Sequence, residues 1–267
     1  MILGALVGDV IGSPYEFGNI KTEDFDLFTP RCRYTDDSVM TLAVADALMR
    51  SADEGQPISY ALVESMCRLG RARLNVGYGS KFMRWLESPE AFPRPYNSWG
   101  NGSGMRVSAV AWAFDSLDVV EFVAAETAKV THNHPEGIRG TQAVAACGFM
   151  ARTGASKGDI REYVRERFGY ALDFTLASIR DDYSFDVSCQ GSVPQAIEAF
   201  LESDGFEDAV RKAVSIGGDS DTIGAMAASI AQGAYGVPSD IEDAARMCLD
   251  EEMLAINDRF CSKYGVR

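Results

Sequence analysis

The amino-acid sequence predicts an all-α protein, and three observations lead to this class. Apolar residues recur with helical periodicity through most of the 267 residues. No stretch shows a convincing β-hairpin pattern or the β-α-β alternation of a parallel sheet. Neither a shift in composition nor a linker divides the chain. We therefore expect one compact helical domain over residues 1–267.

The first 152 residues contain seven of the expected helices. Residues 1–11 form a predicted helix of small and apolar residues, which ends at Gly12, Ser13 and Pro14. After an irregular stretch, Thr35 is a natural N-cap for the helix through 39–49. The acidic residues that follow Thr35 complement the positive end of the helix dipole. Helical periodicity then predicts helices near residues 57–69, 79–87, 105–116, 118–130 and 136–152.

The second half continues the helical pattern with one irregular stretch. A helix is predicted at 157–168, and residues 175–187 favour a short helix followed by a loop. Further helices are predicted at 194–202, 206–215, 222–235 and 239–260. The helix at 222–235 carries small residues on nearly every face. We therefore expect it to lie at the centre of the fold, closely packed by its neighbours.

The charge of the chain excludes some classes of partner. Thirty-nine acidic and 25 basic residues give a net charge of −14. Nucleic-acid backbones and anionic membranes both require a basic surface that replaces counterions. Binding to unmodified nucleic acid or to a membrane is therefore not expected. An anionic small molecule remains compatible with the charge if a cation screens its site.

The cysteines and the apolar segments indicate a cytoplasmic protein. The six cysteines contain no CxxC pair and no tight cluster, so we expect reduced thiols rather than disulfides or a zinc site. The apolar opening is short, lacks a basic region and runs into Asp9, which disfavours a signal peptide. No apolar run is long enough to cross a membrane.

Two acidic motifs stand at predicted helix N-termini, far apart in the chain. Thr35-Asp36-Asp37 is one, and Asp219-x-Asp221-Thr222, preceded by Gly217 and Gly218, is the other. Their side chains carry hard oxygen donors of the type that suits Mg²⁺, Mn²⁺ or Ca²⁺. Each motif alone is compatible with plain helix capping. Two such motifs favour a metal site in which these six residues hold a pair of octahedral divalent cations.

Three further segments are candidates for ligand contact. His132 and His134, the two histidines, either cap a helix end, belong to a zinc site without a matching third ligand, or contact a ligand near the metals. The stretch 97–106 is a glycine-rich turn whose backbone N–H groups could hold a phosphate, and Trp99 could stack on a base. The segment Gly77-Tyr78-Gly79 is a similar but weaker candidate.

Five motifs in order make the chain resemble the ADP-ribosylglycohydrolases, the family of the dinitrogenase-reductase-activating glycohydrolase. They span nearly the whole chain, and five motifs in this order are highly specific. The matching segments are Gly8-Asp9-x-x-Gly12-x-x-x-Glu16, Thr35-Asp36-Asp37-Ser38, Gly100-Asn101-Gly102-x-x-Met105-Arg106, Thr131-His132-x-His134 and Gly217-Gly218-Asp219-x-Asp221-Thr222-x-Gly224.

This resemblance implies a compact orthogonal helical bundle with two Mg²⁺ or Mn²⁺ ions. The implied metal ligands are Thr35, Asp36, Asp37, Asp219, Asp221 and Thr222, and the implied catalytic residues are Glu16, Asp36 and Asp221. Residues matching the ADP-ribose pocket are Ser98, Trp99, Gly100, Asn101 and His132, with Gly77, Tyr78 and Gly79 beside them. Asp9 either binds or only fixes the loop of Glu16.

The implied reaction is hydrolysis of the bond between ADP-ribose and a modified acceptor, in a protein expected to be a monomer. Glu16 matches a glutamate that serves as acid or base, and the reacting ribose passes through an oxocarbenium-like state. Arginine-linked hydrolases of the family carry an acidic residue where this chain has Ser98. The Ser98–Trp99 pair is more similar to the branch that cleaves O-linked ADP-ribose, including serine linkages, so we expect that preference.

Two alternatives remain at the level of the sequence. One is a non-catalytic ADP-ribose-binding homologue, which loss of a metal ligand or of Glu16 would support; neither is lost. The other is a binuclear-metal hydrolase that acts on a different ribosyl or phosphoryl substrate, and product analysis would separate it from the main interpretation.

Overall fold

The computed structural model describes residues 3–266 and is built from α-helices, as the sequence predicts. Within this range there are fourteen, and no β-strand joins them. In chain order they are α1 (Gly4–Gly12), α2 (Asp36–Glu54), α3 (Ile58–Arg71), α4 (Ser80–Leu86), α5 (Val110–Ala113), α6 (Leu117–Lys129), α7 (Pro135–Arg152), α8 (Lys157–Tyr163), α9 (Leu176–Ile179), α10 (Cys189–Leu201), α11 (Phe206–Ser215), α12 (Ser220–Tyr235), α13 (Ser239–Arg246) and α14 (Glu251–Tyr264).

Helix α12 lies at the centre of the fold, which confirms the prediction from its small residues. Every residue from Ser220 to Gln232 is buried. Helix α1 crosses it at a line of glycines spaced by four residues, so the same face of α1 meets α12 repeatedly. A Cβ atom on Gly4 would lie 2.6 Å from the carbonyl oxygen of Ala228, and glycine therefore permits direct backbone contact.

Helices α2 and α7 pack against this central pair and complete the frame around the site. Thr35 is the N-cap of α2 as predicted, because its side chain accepts a hydrogen bond from the backbone N–H of Asp37. Helix α7 begins at Pro135 with His134 as its N-cap. The N-termini of α2 and α12 face the same cavity. The apolar sides of the helices form one continuous core.

Three predicted elements differ from the structure. Of 105–116, only Val110–Ala113 is α-helical; the rest consists of turns and irregular backbone, and it includes buried Arg106, whose side chain donates to the carbonyl oxygen of Thr127. The span 239–260 is two helices, because Asp250 caps α14 by accepting from Met253 N. Helix α10 begins earlier than residue 194, at Cys189, where Ser188 supplies the cap.

Several simpler expectations agree with the structure. Residues 175–187 form the short helix α9 followed by a loop. Residues 157–168 are helical, with the last five in a π-helical turn. The predicted first helix is present from Gly4 to Gly12, while Met1 and Ile2 lie outside the described residues. All six cysteines are free thiols. Within the described range, every helix is too short or too polar to span a membrane.

Candidate functional site

A cavity of about 490 Å³ opens between the N-termini of α2 and α12. Five carboxylates line it, and they come from three distant parts of the chain. Glu16 follows the 3-10 turn after α1, Asp36 and Asp37 open α2, and Asp219 and Asp221 open α12. The fold thus brings the two acidic motifs and the predicted catalytic glutamate into one site.

Asp9 holds the first acidic motif in place through hydrogen bonds. This buried residue of α1 accepts hydrogen bonds from Thr35 N at 2.9 Å, Thr35 Oγ1 at 2.7 Å and Ser38 N at 3.0 Å, and a fourth from Ser38 Oγ. The bonds hold the first turn of α2. The donors to Asp9 are Thr35 and Ser38, at the N-cap and in the first turn of α2, rather than residues of the loop that carries Glu16.

The second acidic motif is held by a side chain from the glycine-rich turn. Asp219 occupies the N-cap position of α12 but makes no capping hydrogen bond with its side chain. Its Oδ2 instead accepts from Asn101 Nδ2 at 2.7 Å. Thr222 Oγ1 lies 3.2 Å from Asp37 Oδ2 and joins the two motifs directly. Plain helix capping therefore does not account for Asp219.

The oxygen atoms of the site fit divalent cations. Carboxylate oxygens of Asp9, Asp37 and Asp221 lie within 4.8 Å of one another, and those of Glu16, Asp219 and Asp221 form a second such group. Asp37 Oδ1 is buried without a hydrogen-bond partner, so it has an unused lone pair inside the cluster. Hard oxygen donors collected at this density are typical of Mg²⁺ or Mn²⁺ sites.

Electrostatics supports the same conclusion. Burial, followed by repulsion from Asp221, raises the pKa of Asp36 and of Asp37 well above the usual range. Burial, followed by repulsion from Asp219, does the same for the pKa of Asp221. Several like charges in one desolvated cavity destabilise the ionised forms, and a bound cation removes that repulsion.

Glu16 is half-buried at the edge of the carboxylate group. Burial and repulsion from Asp221 raise its pKa to about 8. Asn19 holds the segment in place: its Nδ2 donates to Tyr15 O at 2.6 Å and to Gly218 O at 3.0 Å, and its Oδ1 accepts from Gly218 N at 2.8 Å. The loop that carries Glu16 is thereby tied to the glycines that precede Asp219.

The Gly77–Gly79 segment borders the cavity beside Asp36. Gly77 has a φ of 110°, and a Cβ atom there would lie 3.1 Å from Asp36 Oδ1, so a side chain at this position would be strained and would crowd the carboxylate. Gly77 and Gly79 line the cavity. Tyr78 is not among its lining residues; it is buried, and its ring packs against Phe82.

The segment from Ser98 to Asn101 forms the opposite wall and is pinned by the start of α10. Asn101 N donates to Val187 O at 2.8 Å, and Cys189 N donates to Trp99 O at 3.0 Å. Ser98 Oγ accepts from Gly100 N at 3.1 Å and shapes the turn. Trp99 is 49 % exposed, and its ring makes an edge contact with His134.

The two histidines have different surroundings. His134 caps α7 by accepting from Glu136 N at 3.1 Å. His132 lines the cavity, and its Nδ1 lies 2.8 Å from Thr131 Oγ1, which also accepts from Arg106. Burial, then the charges of Arg106 and Lys81, hold the pKa of His132 well below its usual range. Neither histidine joins a group of metal-ligand atoms within residues 3–266.

Sequence reasoning missed several residues of the site. Asn19 lies in an irregular stretch and Lys81 in the first turn of α4, and as single polar residues outside a motif they carry no signal for a site. Phe17, Phe185 and Val187 line the mouth of the cavity, and each is about half or more exposed. Among these three residues, only Phe17 could have been suspected from the sequence, because it directly follows the candidate catalytic residue Glu16. Thr35 is not among the lining residues, because its hydroxyl points to Asp9.

Comparison with known proteins shows one consistent set of relatives. The model of the ADP-ribosylglycohydrolase family matches residues 1–266. ADP-ribosylhydrolase ARH3 of Homo sapiens is 24% identical over 317 residues, covering 92% of this chain and 87% of that protein. ADP-ribosylarginine hydrolase Tri1 of Pseudomonas putida is 25% identical, covering 88% and 70%.

Two further comparisons agree with these relatives. ADP-ribosyl-[dinitrogen reductase] glycohydrolase of Rhodospirillum rubrum is 26% identical over 258 residues, covering 88% of this chain and 84% of that protein. A solved structure described as an ADP-ribosylglycohydrolase-related protein complex superposes with a TM-score of 0.71 at 25% identity, covering 96% of this chain and 93% of that one.

Proposed function

This chain belongs to the ADP-ribosylglycohydrolase family, and from that premise we propose that it hydrolyses the bond joining ADP-ribose to a modified acceptor. The observation that carries the proposal is the meeting of Glu16 with two aspartate pairs in one cavity. Such a cavity offers a proton-transfer group beside a cation site, which glycoside hydrolysis with a charged transition state requires.

The proposed metal centre holds two Mg²⁺ or Mn²⁺ ions. Its proposed ligands are the six residues Thr35, Asp36, Asp37, Asp219, Asp221 and Thr222. Asp9 positions the first three through its hydrogen bonds to Thr35 and Ser38, and Asn101 orients Asp219. When bound, the cations would supply positive charge that binds ribose hydroxyls and promotes ionisation of water.

Glu16 is the proposed acid and base. The water oxygen forms a bond to C1 of the ribose, the bond from C1 to the acceptor breaks, and Glu16 transfers a proton between water and the leaving atom. Burial, the largest cause of the raised pKa of Glu16, does not depend on the cations, and it favours a protonated carboxyl group. Glu16 is half-buried, and it lines the cavity in which the substrate would bind.

The rest of the ligand has matching surfaces along the cavity. The exposed ring of Trp99 can stack on the adenine, and His132 lines the wall beside Gly100 and Gly102. Cβ atoms on these two glycines would lie 3.7 and 3.2 Å from His132 Nε2, so glycine keeps the space open. The backbone of the Ser98–Asn101 turn and of Gly77–Gly79 is the proposed surface for the phosphates.

We propose that the acceptor is O-linked, with serine favoured over arginine. Ser98 stands where arginine-specific relatives are expected to carry an acidic residue, and its hydroxyl shapes the turn by accepting from Gly100 N. A neutral side chain there offers no ion pair to a guanidinium group. The protein is further proposed to act as a cytoplasmic monomer, in keeping with its free thiols.

A panel of ADP-ribosylated substrates tests this function. Serine-, arginine- and aspartate/glutamate-linked conjugates are incubated with the protein in Mg²⁺, in Mn²⁺ and in EDTA, and free ADP-ribose is measured. We expect release from the serine conjugate with either metal and none in EDTA. Faster release from the arginine conjugate would reverse the proposed preference. Activity that survives complete metal removal would contradict the proposed centre, and no release from any conjugate would contradict the function.

A further inference from the structure

Lys81 is an unpaired cation in the acidic cavity. Its Nζ lies 5.2 Å from the centroid of the Trp99 ring, within the range of a cation–π contact. Across residues 3–266, its ammonium group has neither an ion-pair nor a hydrogen-bond partner. Because an exposed lysine is solvated and mobile, its stem can follow a ligand that enters beside Trp99.

The other five lysines are all engaged. Each of them donates to a carboxylate or to a backbone carbonyl: Lys21 to Tyr183 and Ile216, Lys129 to Glu126, Lys157 to Ser203, Lys212 to Asp208 and Lys263 to Asp53. Lys81 therefore differs from every other lysine in the chain, and it is the one that lines the cavity.

The acidic character of the cavity makes the unpaired ammonium group of Lys81 important. Five carboxylates line the cavity and the whole chain carries a charge of −14, so positive charge away from the proposed metal centre would favour the anionic part of a ligand. The other cationic side chain in the lining, Arg106, is 1% exposed and donates to Thr127 O and Thr131 Oγ1. Arg106 is thus fixed in the wall, whereas Lys81 can move.

We propose that Lys81 binds the diphosphate of ADP-ribose and selects for anionic ligands. This inference rests on the proposed function, since it assumes that ADP-ribose occupies the cavity. On binding, the ammonium group leaves the face of Trp99, which then stacks on the adenine, and pairs with the phosphate oxygens. The ribose at the opposite end of the ligand would lie at the proposed metal centre. Lys81 thereby sets ligand affinity and takes no part in the chemical step.

Binding measurements on two matched lysine variants test the proposal. Lys81→Met keeps the length and apolar stem of the side chain but removes its charge. Lys263→Met is the control, because Lys263 also lies over an aromatic ring, that of Tyr264, and belongs to α14 outside the cavity lining. Calorimetric titration of the Mg²⁺-loaded proteins with ADP-ribose and with adenosine, at low and high salt, gives the dissociation constants.

We expect Lys81→Met to weaken ADP-ribose binding roughly tenfold at low salt, with a smaller effect at high salt, because a charge-assisted contact is lost and salt screens it. Adenosine binding should not change, Lys263→Met should match the unmodified protein, and Lys81→Arg should restore ADP-ribose affinity to within about threefold. In turnover assays, Lys81→Met should raise KM and leave kcat nearly unchanged.

Two results would overturn the role of Lys81 alone. One is unchanged ADP-ribose affinity in Lys81→Met while the unmodified protein binds and hydrolyses normally. The other is an equal loss of adenosine affinity, which would assign Lys81 to the base rather than to the diphosphate. If the unmodified protein fails to bind ADP-ribose, the proposed function itself fails, and this inference fails with it.

Discussion

Gly8 and Gly224 bring the backbones of α1 and α12 into direct contact. A Cβ atom on Gly224 would lie 2.8 Å from the carbonyl oxygen of Gly8, and one on Gly8 would overlap the carbonyl of Gly224. Asp9 follows Gly8 in α1, and Asp221 lies in the first turn of α12. The crossing therefore sets the distance between the groups that support the two halves of the candidate metal site.

Substituting Gly8 by alanine should destabilise the protein. The added methyl group meets backbone atoms, which cannot move aside without separating the two helices, so we expect a loss of about 3 kcal/mol in the free energy of unfolding. Urea unfolding measures it. Gly158→Ala is the control, because Gly158 is exposed in α8 and its Cβ would have room; its stability should be unchanged or slightly raised. Equal stability of both variants would contradict this account of the crossing.

Replacing Glu16 by glutamine should abolish turnover but spare binding. Glutamine keeps the shape of the side chain and cannot transfer a proton, so kcat should fall by about 10²–10⁴-fold. The dissociation constant for ADP-ribose should stay within about threefold, since the phosphate and base contacts remain. Glu162→Gln, an exposed substitution in α8, serves as the control with unchanged kcat. Full activity of Glu16→Gln would remove Glu16 from the mechanism.

Asn101→Ala should weaken metal binding without removing a proposed ligand. The variant loses the 2.7 Å hydrogen bond to Asp219 Oδ2, and the loss of an outer partner of a metal ligand typically lowers affinity 10–100-fold. Mn²⁺ titration of the metal-free protein, followed by electron paramagnetic resonance, measures the change. Asn133→Ala is a suitable comparison, because Asn133 bonds to Asn97 N and does not line the cavity. Identical Mn²⁺ affinity in both variants would show that Asn101 does not position Asp219.

Stability of the metal-free protein should fall as the pH rises from 6.5 to 8. The pKa of Glu16 is raised to about 8, and those of Asp36, Asp37 and Asp221 are raised well above the usual range, so the folded state retains protons that the unfolded state has released. That stabilisation is complete below the unfolded pKa and is lost as the pH rises through the folded values. The depressed pKa of His132 acts in the opposite direction, but its effect lies below pH 6.5.

We expect the free energy of unfolding to fall by roughly 2–4 kcal/mol between pH 6.5 and pH 8, because the folded state holds about one or two more protons than the unfolded state. Thermal unfolding with and without Mg²⁺ measures it, and the stabilisation by Mg²⁺ should be larger at pH 8 than at pH 6.5. Asp37→Asn should flatten the profile. A stability that rises with pH in the metal-free protein would contradict the raised pKa values.

The sequence predicted the helices and the two acidic motifs because their signals are local. Helical periodicity and N-cap residues depend on neighbours within a few positions, and Thr35 and the helix at 222–235 were assigned on that basis. The turns around Arg106 are not predicted, because Arg106 bonds to Thr127, 21 residues along the chain. The break before Asp250 is not predicted, because the cap of α14 interrupts a pattern that is otherwise helical.

The supporting residues of the site were harder to predict for the same reason. Three hydrogen-bonded pairs support the site: Asp9 with Thr35, Asn19 with Gly218, and Asn101 with Asp219. The two residues of each pair come together only when the helices pack. Sequence motifs identify side chains with useful chemistry. The choice between a direct ligand and a residue that positions one depends on distances that exist only in the folded protein.

The crossing of α1 and α12 also has a consequence for synthesis of the chain. Gly4 bonds to the side chain of Gln232, 228 residues later, and every residue of α1 is buried in the fold. The ribosome synthesises this apolar helix long before α12, so the apolar residues of α1 remain exposed to solvent until α12 is available to pack against them. Pairing over such a sequence distance is slow and exposes the chain to aggregation. We therefore expect the nascent protein to depend on a chaperone until α12 has emerged.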